Sequence, residues 1–119
     1  MISVDPARLK QILINLVGNS IKYTLAGKVE VLVSKIQEGA YLEIRIKDTG
    51  IGMSALEQEH LFEKFYRVKN DKVKNISGTG LGLWITKRLV ELMDGKITVD
   101  SIENMGSQFT VLFPIKKVS

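Results

Sequence analysis

Apolar residues recur near the start of the chain at Leu9, Ile12, Leu13, Leu16 and Val17, with Ser20 on the same stripe. That spacing of i, i+3, i+4, i+7 predicts an amphipathic helix. Asp5-Pro6 supplies its start, a capping carboxylate followed by a residue pre-set for the first helical position. Ala26-Gly27 is the expected end. The period then changes to two. Val29, Val31 and Val33 alternate with polar neighbours over 28–36, and Leu42, Ile44 and Ile46 do so over 41–48. These runs predict two strands, the first buried on one face, joined at Gly39 as an antiparallel hairpin. Ser54, with Glu57 three residues on, marks the start of a short helix. The polar run NDKVKNISGTG reads as a long loop, a kind that in compact domains is usually functional or disordered. A second long helix begins near Leu81, carries Trp84, Ile85, Leu89, Leu92 and Met93, and stops at Asp94-Gly95. KITVDSIE and SQFTVLFPI add two strands around the turn Asn104-Met105-Gly106, the last closing at Pro114. With no repeat and no linker, this order predicts one α+β domain over residues 1–119, its helices packed on one face of a sheet.

Composition narrows the function classes. A chain of 119 residues that is 45% hydrophobic can bury one core without covalent staples. It has no cysteine, which excludes disulfide scaffolds, zinc fingers and thiol nucleophiles and agrees with a reducing, cytoplasmic setting. No apolar run is long enough to span a bilayer, and the N-terminus has no signal-peptide core. The net charge of +4 is spread along the chain apart from a local excess in YRVKNDKVKN. Such a field suits a phosphate-bearing small molecule better than nucleic acid.

Three stretches carry candidate chemistry. In NLVGNSIKYT, the side chains of Asn15, Asn19 and Lys22 fall within about 60° of one another and border the apolar arc of their helix. Two readings stay open for them: a half-buried polar rim, or a site where amide oxygens hold Mg²⁺ and a lysine meets phosphate. DTGIG places Asp48, Gly50 and Gly52 at the end of a strand. There a carboxylate can accept from an exocyclic amine and glycines let a ring approach the backbone; an ordinary glycine turn is the alternative. GTGLGL puts Gly78, Gly80 and Gly82 where a loop becomes a helix, either a phosphate cradle of free N–H groups or a flexible helix start. Phe62, Phe65 and Tyr66 are expected to anchor the base of the loop, and Arg67 opens it within reach of a transferring phosphoryl group. His60 is the only histidine and reads as a surface residue, with no companion ligands for a transition metal.

Taken in order, NLVGNSIKYT, DTGIGM, LFEKFYR and GTGLGL resemble the asparagine, first glycine, phenylalanine and second glycine boxes of the sensor histidine kinases. The tail DGKITVDSIENMGSQFTVLFP is similar to that family's closing hairpin. The resemblance covers about residues 4 to 115 and implies a two-layer α/β sandwich of the Bergerat type. Its sheet would be mixed, of about five strands, with three helices on one face. It further implies a catalytic domain that binds Mg²⁺-ATP and passes the γ-phosphoryl group to a histidine of a separate dimerisation domain, in two-component signalling with a response regulator downstream. On this resemblance Asn19 is the Mg²⁺ ligand, Asn15 supports phosphates or metal, Lys22 meets the phosphates and Tyr23 lines the pocket. Asp48 bonds the adenine amine, while Gly50, Ile51, Gly52 and Met53 shape the pocket around it. Residues from about Arg67 to Gly82 form a lid whose end, Gly78, Thr79, Gly80, Leu81, Gly82 and Leu83, holds phosphates. Arg67 acts on the γ-phosphate, and Ser107 is a candidate for a water-mediated adenine contact. Asn15, Lys22 and Arg67 are thus the expected catalytic residues. The gyrase, mismatch-repair and chaperone branches have a water-activating glutamate where this chain has Asn15, and an amide is no general base. Hydrolysis of the gyrase type and a non-catalytic nucleotide-holding module are the alternative functions. The isolated domain is expected to be a monomer without nucleic-acid or membrane contact, the catalytic half of a longer kinase or one module of a split one.

Overall fold

The structure is a computed structural model that describes residues 6–22, 24, 27–64 and 82–115. Pro6–Lys22 form helix α1, with Ile12, Leu16 and Ser20 buried and Leu9, Leu13 and Val17 packed beside them. The helix stops at Lys22, short of the expected Ala26-Gly27 end. Thr24 closes it instead. Its N–H donates to the Ile21 carbonyl at 3.3 Å and its hydroxyl to the Ser20 carbonyl at 2.6 Å. A threonine that takes up a terminal carbonyl offers the backbone an alternative to another helical turn. Gly27, with φ of 132°, makes the bend into the first strand, where a Cβ would overlap the Thr49 side chain.

Strand β1 (Val29–Ile36) pairs antiparallel with β2 (Tyr41–Asp48) around a turn in which Gln37, Glu38 and Gly39 all have positive φ. After β2 comes α2 (Ala55–His60), capped by Ser54, whose hydroxyl accepts from Glu57 N–H. Helix α3 (Gly82–Leu92) leads through a reversal into β3 (Lys96–Ile102), and β4 (Gly106–Pro114) completes the second hairpin. At the end of α3, Gly95 N–H donates to the Val90 carbonyl and Asp94 N–H to that of Glu91, with Asp94 at φ of 59°. This is a Schellman closure with aspartate in the left-handed position.

The sheet order is β1-β2-β4-β3. Among the described residues it has four strands with every neighbouring pair antiparallel, where a mixed sheet of about five was expected. The cause is the position of β4. Reached through two helices, β3 runs in the direction of β2, but β4 folds back between them and separates the two parallel strands.

One face of this sheet carries Ile44, Ile46, Ile97, Phe109, Val111 and Phe113, and α1 and α3 bring Ile12, Leu16 and Val90 onto it. The inner stripe of α3 is Thr86 and Val90, flanked by Leu83, Leu89 and Met93, whereas Ile85 and Leu92 are exposed. Thr86 is buried because its hydroxyl donates to the Gly82 carbonyl at 2.7 Å. Lys64 and Arg88 stack on Trp84, tying the segment after α2 to α3.

The expected burial of β1 is not found. Val31 and Val33 lie opposite Ile46 and Ile44, so they do point to the helix-bearing face. They are nevertheless 45% and 61% exposed, because β1 is the edge strand and the helix layer stops short of it.

Gly18 of α1 has no atom within 4 Å of where a Cβ would stand and is exposed. Gly18→Ala is therefore expected to stabilise the domain by roughly 0.5–1 kcal/mol. A raised thermal midpoint with unchanged helix content is the result to look for, and a lowered one would show an unsuspected need for glycine there.

Candidate functional site

At one end of the sheet the apolar floor turns polar. Ile46, Phe109 and Val99 form a cross-strand row on the helix-covered face. Two residues further along each strand, and so on the same face, the next row is Asp48, Ser107 and Ser101. Gly50 N–H donates to Asp48 Oδ1 at 2.9 Å, which restrains the carboxylate.

The chain leaving β2 is held against the β3–β4 hairpin. Asn104 N–H donates to the Ile51 carbonyl at 2.6 Å, and Met53 N–H to Ser101 Oγ at 2.8 Å. Gln58 Nε2 donates to the carbonyls of Met53 and Ser101, each at 3.1 Å. Ile51, Gly52 and Met53 are buried as a result. Gly52 (φ 66°) lies so close to the Ile102 carbonyl that no side chain fits, and Gly106 (φ 123°) stands in the same relation to the Asp48 carbonyl. The glycine of the DTGIG stretch thus serves backbone-to-backbone packing as well as any ligand.

Helix α1 runs toward this end, since the short connection after Lys22 delivers the chain to Val29, the register partner of Asp48. Asn15, Asn19 and Lys22 are half-buried along its flank, as the helical spacing predicts. Gln11 Nε2 donates to Asn15 Oδ1 at 2.8 Å. Helix α3 packs on α1, and the reversal at Asp94 returns the chain along the sheet as β3. Gly82 and Leu83, at the start of α3, therefore lie toward the end where β3 finishes. Tyr23, Phe65, Tyr66, Arg67, Gly78, Thr79, Gly80 and Leu81 lie outside the described residues. Phe62 packs edge-on against Phe109, centroids 6.2 Å apart, as expected of an anchoring aromatic. His60 is half-exposed and pairs with Glu63.

The sequence reading did not single out Ser101 or Gln58. The signal for Ser101 was present: in Ile97, Val99, Ser101 a hydroxyl takes the third inward position of a strand that is otherwise apolar on that side. No group of three or more metal-ligating His, Cys, Asp or Glu side chains occurs among the described residues.

The chain is thus of the two-layer α/β class, with a polar row at one end of its sheet and the amide-bearing side of α1 running toward it. Comparison with known proteins makes the class specific. The chain belongs to the histidine kinase-, DNA gyrase B- and HSP90-like ATPase family, whose model matches residues 4–117. It is 47% identical over 111 residues to the sensor histidine kinase RcsC of Escherichia coli (strain K12), covering 93% of this chain and 12% of RcsC. It is 44% identical over 119 residues to the sensor protein GacS of Pseudomonas syringae pv. syringae, covering 98% of this chain and 13% of GacS. Among solved structures, the mycobacterial sensor histidine kinase MprB superposes with a TM-score of 0.85 at 26% identity, covering 98% of this chain and 78% of that one. Full-length ShkA in complex with AMPPNP superposes with a TM-score of 0.83 at 35% identity, covering 99% and 24%. The chain thus spans about an eighth of the length of the two sensor kinases it matches in sequence.

Proposed function

We propose that this chain is the ATP-binding catalytic domain of a sensor histidine kinase. It would hold Mg²⁺-ATP and deliver the γ-phosphoryl group to a histidine on a separate dimerisation domain. The observation that carries the reading is Asp48: a carboxylate held by Gly50 N–H at the polar end of the sheet, in a chain of this ATPase family that is similar to the sensor histidine kinase RcsC. Its second oxygen would accept from the adenine amine, with Ile51 and Met53 beside the ring.

Asn15 supports transfer over hydrolysis. Its amide oxygen accepts from Gln11 Nε2, its NH₂ can donate to phosphate oxygens, and an amide is no base for water. Asn19 would hold Mg²⁺ through its side-chain oxygen, and Lys22 would meet the phosphates. When bound, the ion supplies charge neutralisation between phosphates. The chain's own residues position the nucleotide, and the nucleophile and its base come from the partner, a division natural to a reaction that needs chiefly positioning and charge stabilisation. On the family resemblance, Arg67 would act on the γ-phosphate and the run Gly78 to Leu81 would hold phosphates.

The test is a phosphotransfer assay with ATP labelled at the γ position, the chain, and a supplied acceptor-hairpin domain. Label on the acceptor histidine is the expected result. It should fall by on the order of 100-fold in the double variant Asn15→Ala, Asn19→Ala, in line with losing two charge-assisted contacts. Rapid phosphate release without an acceptor would instead place the chain with the hydrolases.

A further inference from the structure

Three short bonds around Ser101 fix the direction of every hydrogen in the group. Gly106 offers a carbonyl, which can only accept, so at 2.8 Å Ser101 Oγ–H must donate to it. Met53 offers an N–H, which can only donate, so at 2.8 Å Ser101 Oγ accepts from it. A serine hydroxyl has one hydrogen and two lone pairs. With its hydrogen on Gly106, Ser101 can only accept from Ser107 Oγ, 2.9 Å away. The single hydrogen of Ser107 is therefore aimed at Ser101, and the rest of the Ser107 oxygen presents lone pairs.

Ser107 is the register partner of Asp48, on the same face of the sheet. The carboxylate likewise only accepts, and one of its oxygens is already held by Gly50. Two neighbouring oxygens at the ligand end thus ask for hydrogens and offer none. We propose that Ser101 is a positioning residue that fixes Ser107 as a hydrogen-bond acceptor, so that the site selects a purine with an exocyclic 6-amino group over one with a 6-oxo group. The assignment rests on the nucleotide reading of the same site and adds the group that sets its base preference. A 6-amino group brings two hydrogens to this pair of acceptors. A 6-oxo group brings a third oxygen against them, and no hydroxyl rotation at Ser107 can relieve the conflict while Ser101 holds its hydrogen. Gln58 supports the arrangement, since it grips the carbonyls of Ser101 and Met53 together.

The test measures dissociation constants of the whole chain for ADP and for inosine diphosphate, by calorimetry. Ser101→Ala releases the Ser107 hydroxyl to donate, so the preference for ADP should fall by about fivefold or more, the worth of one reversed hydrogen bond. Ser101→Thr retains the oxygen and should restore the preference. A purely structural role would weaken both nucleotides by one factor, and an unchanged ratio in Ser101→Ala overturns the assignment. Should Ser101→Ala fail to fold, Ser107→Ala decides: ADP is expected to weaken while inosine diphosphate does not, and an unchanged ratio again overturns it. Failure of the unaltered chain to bind ADP would overturn the nucleotide reading along with this one. An unchanged ratio with binding retained removes only the role of Ser101.

Discussion

Asp48→Asn is expected to weaken ADP binding on the order of 100-fold while leaving the fold intact. The substitution is nearly isosteric, and the reason for its effect is directional. Gly50 N–H needs an acceptor, so the new amide must turn its oxygen to Gly50, as Asp48 Oδ1 does now. Its NH₂ would then take the second position and, on the proposed role of Asp48, face the adenine amine, donor against donor. The site loses one bond to a charged acceptor and gains a buried mismatch, each worth about 1–3 kcal/mol. Backbone pairing at Asp48 with Ser107 and Val29 is untouched, so the unfolding free energy should stay within about 0.5 kcal/mol of the parent. Calorimetric titration with ADP, alongside a urea transition, separates the two effects. Wild-type affinity in the variant would remove Asp48 from the site.

Phe109→Ala is expected to cost about 3–5 kcal/mol of stability. Phe109 is 1% exposed, lies between Ile46 and Val99 in the central row, and meets Phe62 edge to face. Emptying that position leaves a cavity beneath both helices, and the sheet around it is tied on both sides, so little collapse is available to refill it. For a domain whose whole stability is about 5–15 kcal/mol, the urea midpoint should drop by more than about 1 M. Phe109→Leu keeps most of the volume and should retain most of the midpoint. Equal loss in the two variants would mean that the aromatic geometry with Phe62, rather than filled space, holds this region.

Helical and strand periods were legible because each reports which side of an element is apolar. They do not report what covers that side. Val31 and Val33 alternate as regularly as Ile44 and Ile46, yet only the second pair lies under helices. The position of β4 between β2 and β3 is a tertiary choice with no local signature, which is why the antiparallel character of the whole sheet had to be seen. The end of α1 was overshot because Gly27 is a glycine for the bend into β1, while the stop itself is made by a threonine hydroxyl. Within the candidate site, Asp48 stands out in the sequence because a carboxylate at a strand end followed closely by two glycines is unusual. Ser101 was passed over because its role depends on Met53, Gly106 and Ser107, which only folding brings around it.

The pairing of β2 with β4 joins segments from opposite halves of the chain. Each hairpin can form from its own neighbourhood, but neither contains both Asp48 and Ser107. Closing the long intervening stretch is the slow, entropically costly event for a topology of this kind. On the proposed site, a half-assembled chain would hold no purine, and nucleotide binding would report on completed assembly. A ligand held by this row would tell the finished domain from every partly built version of it.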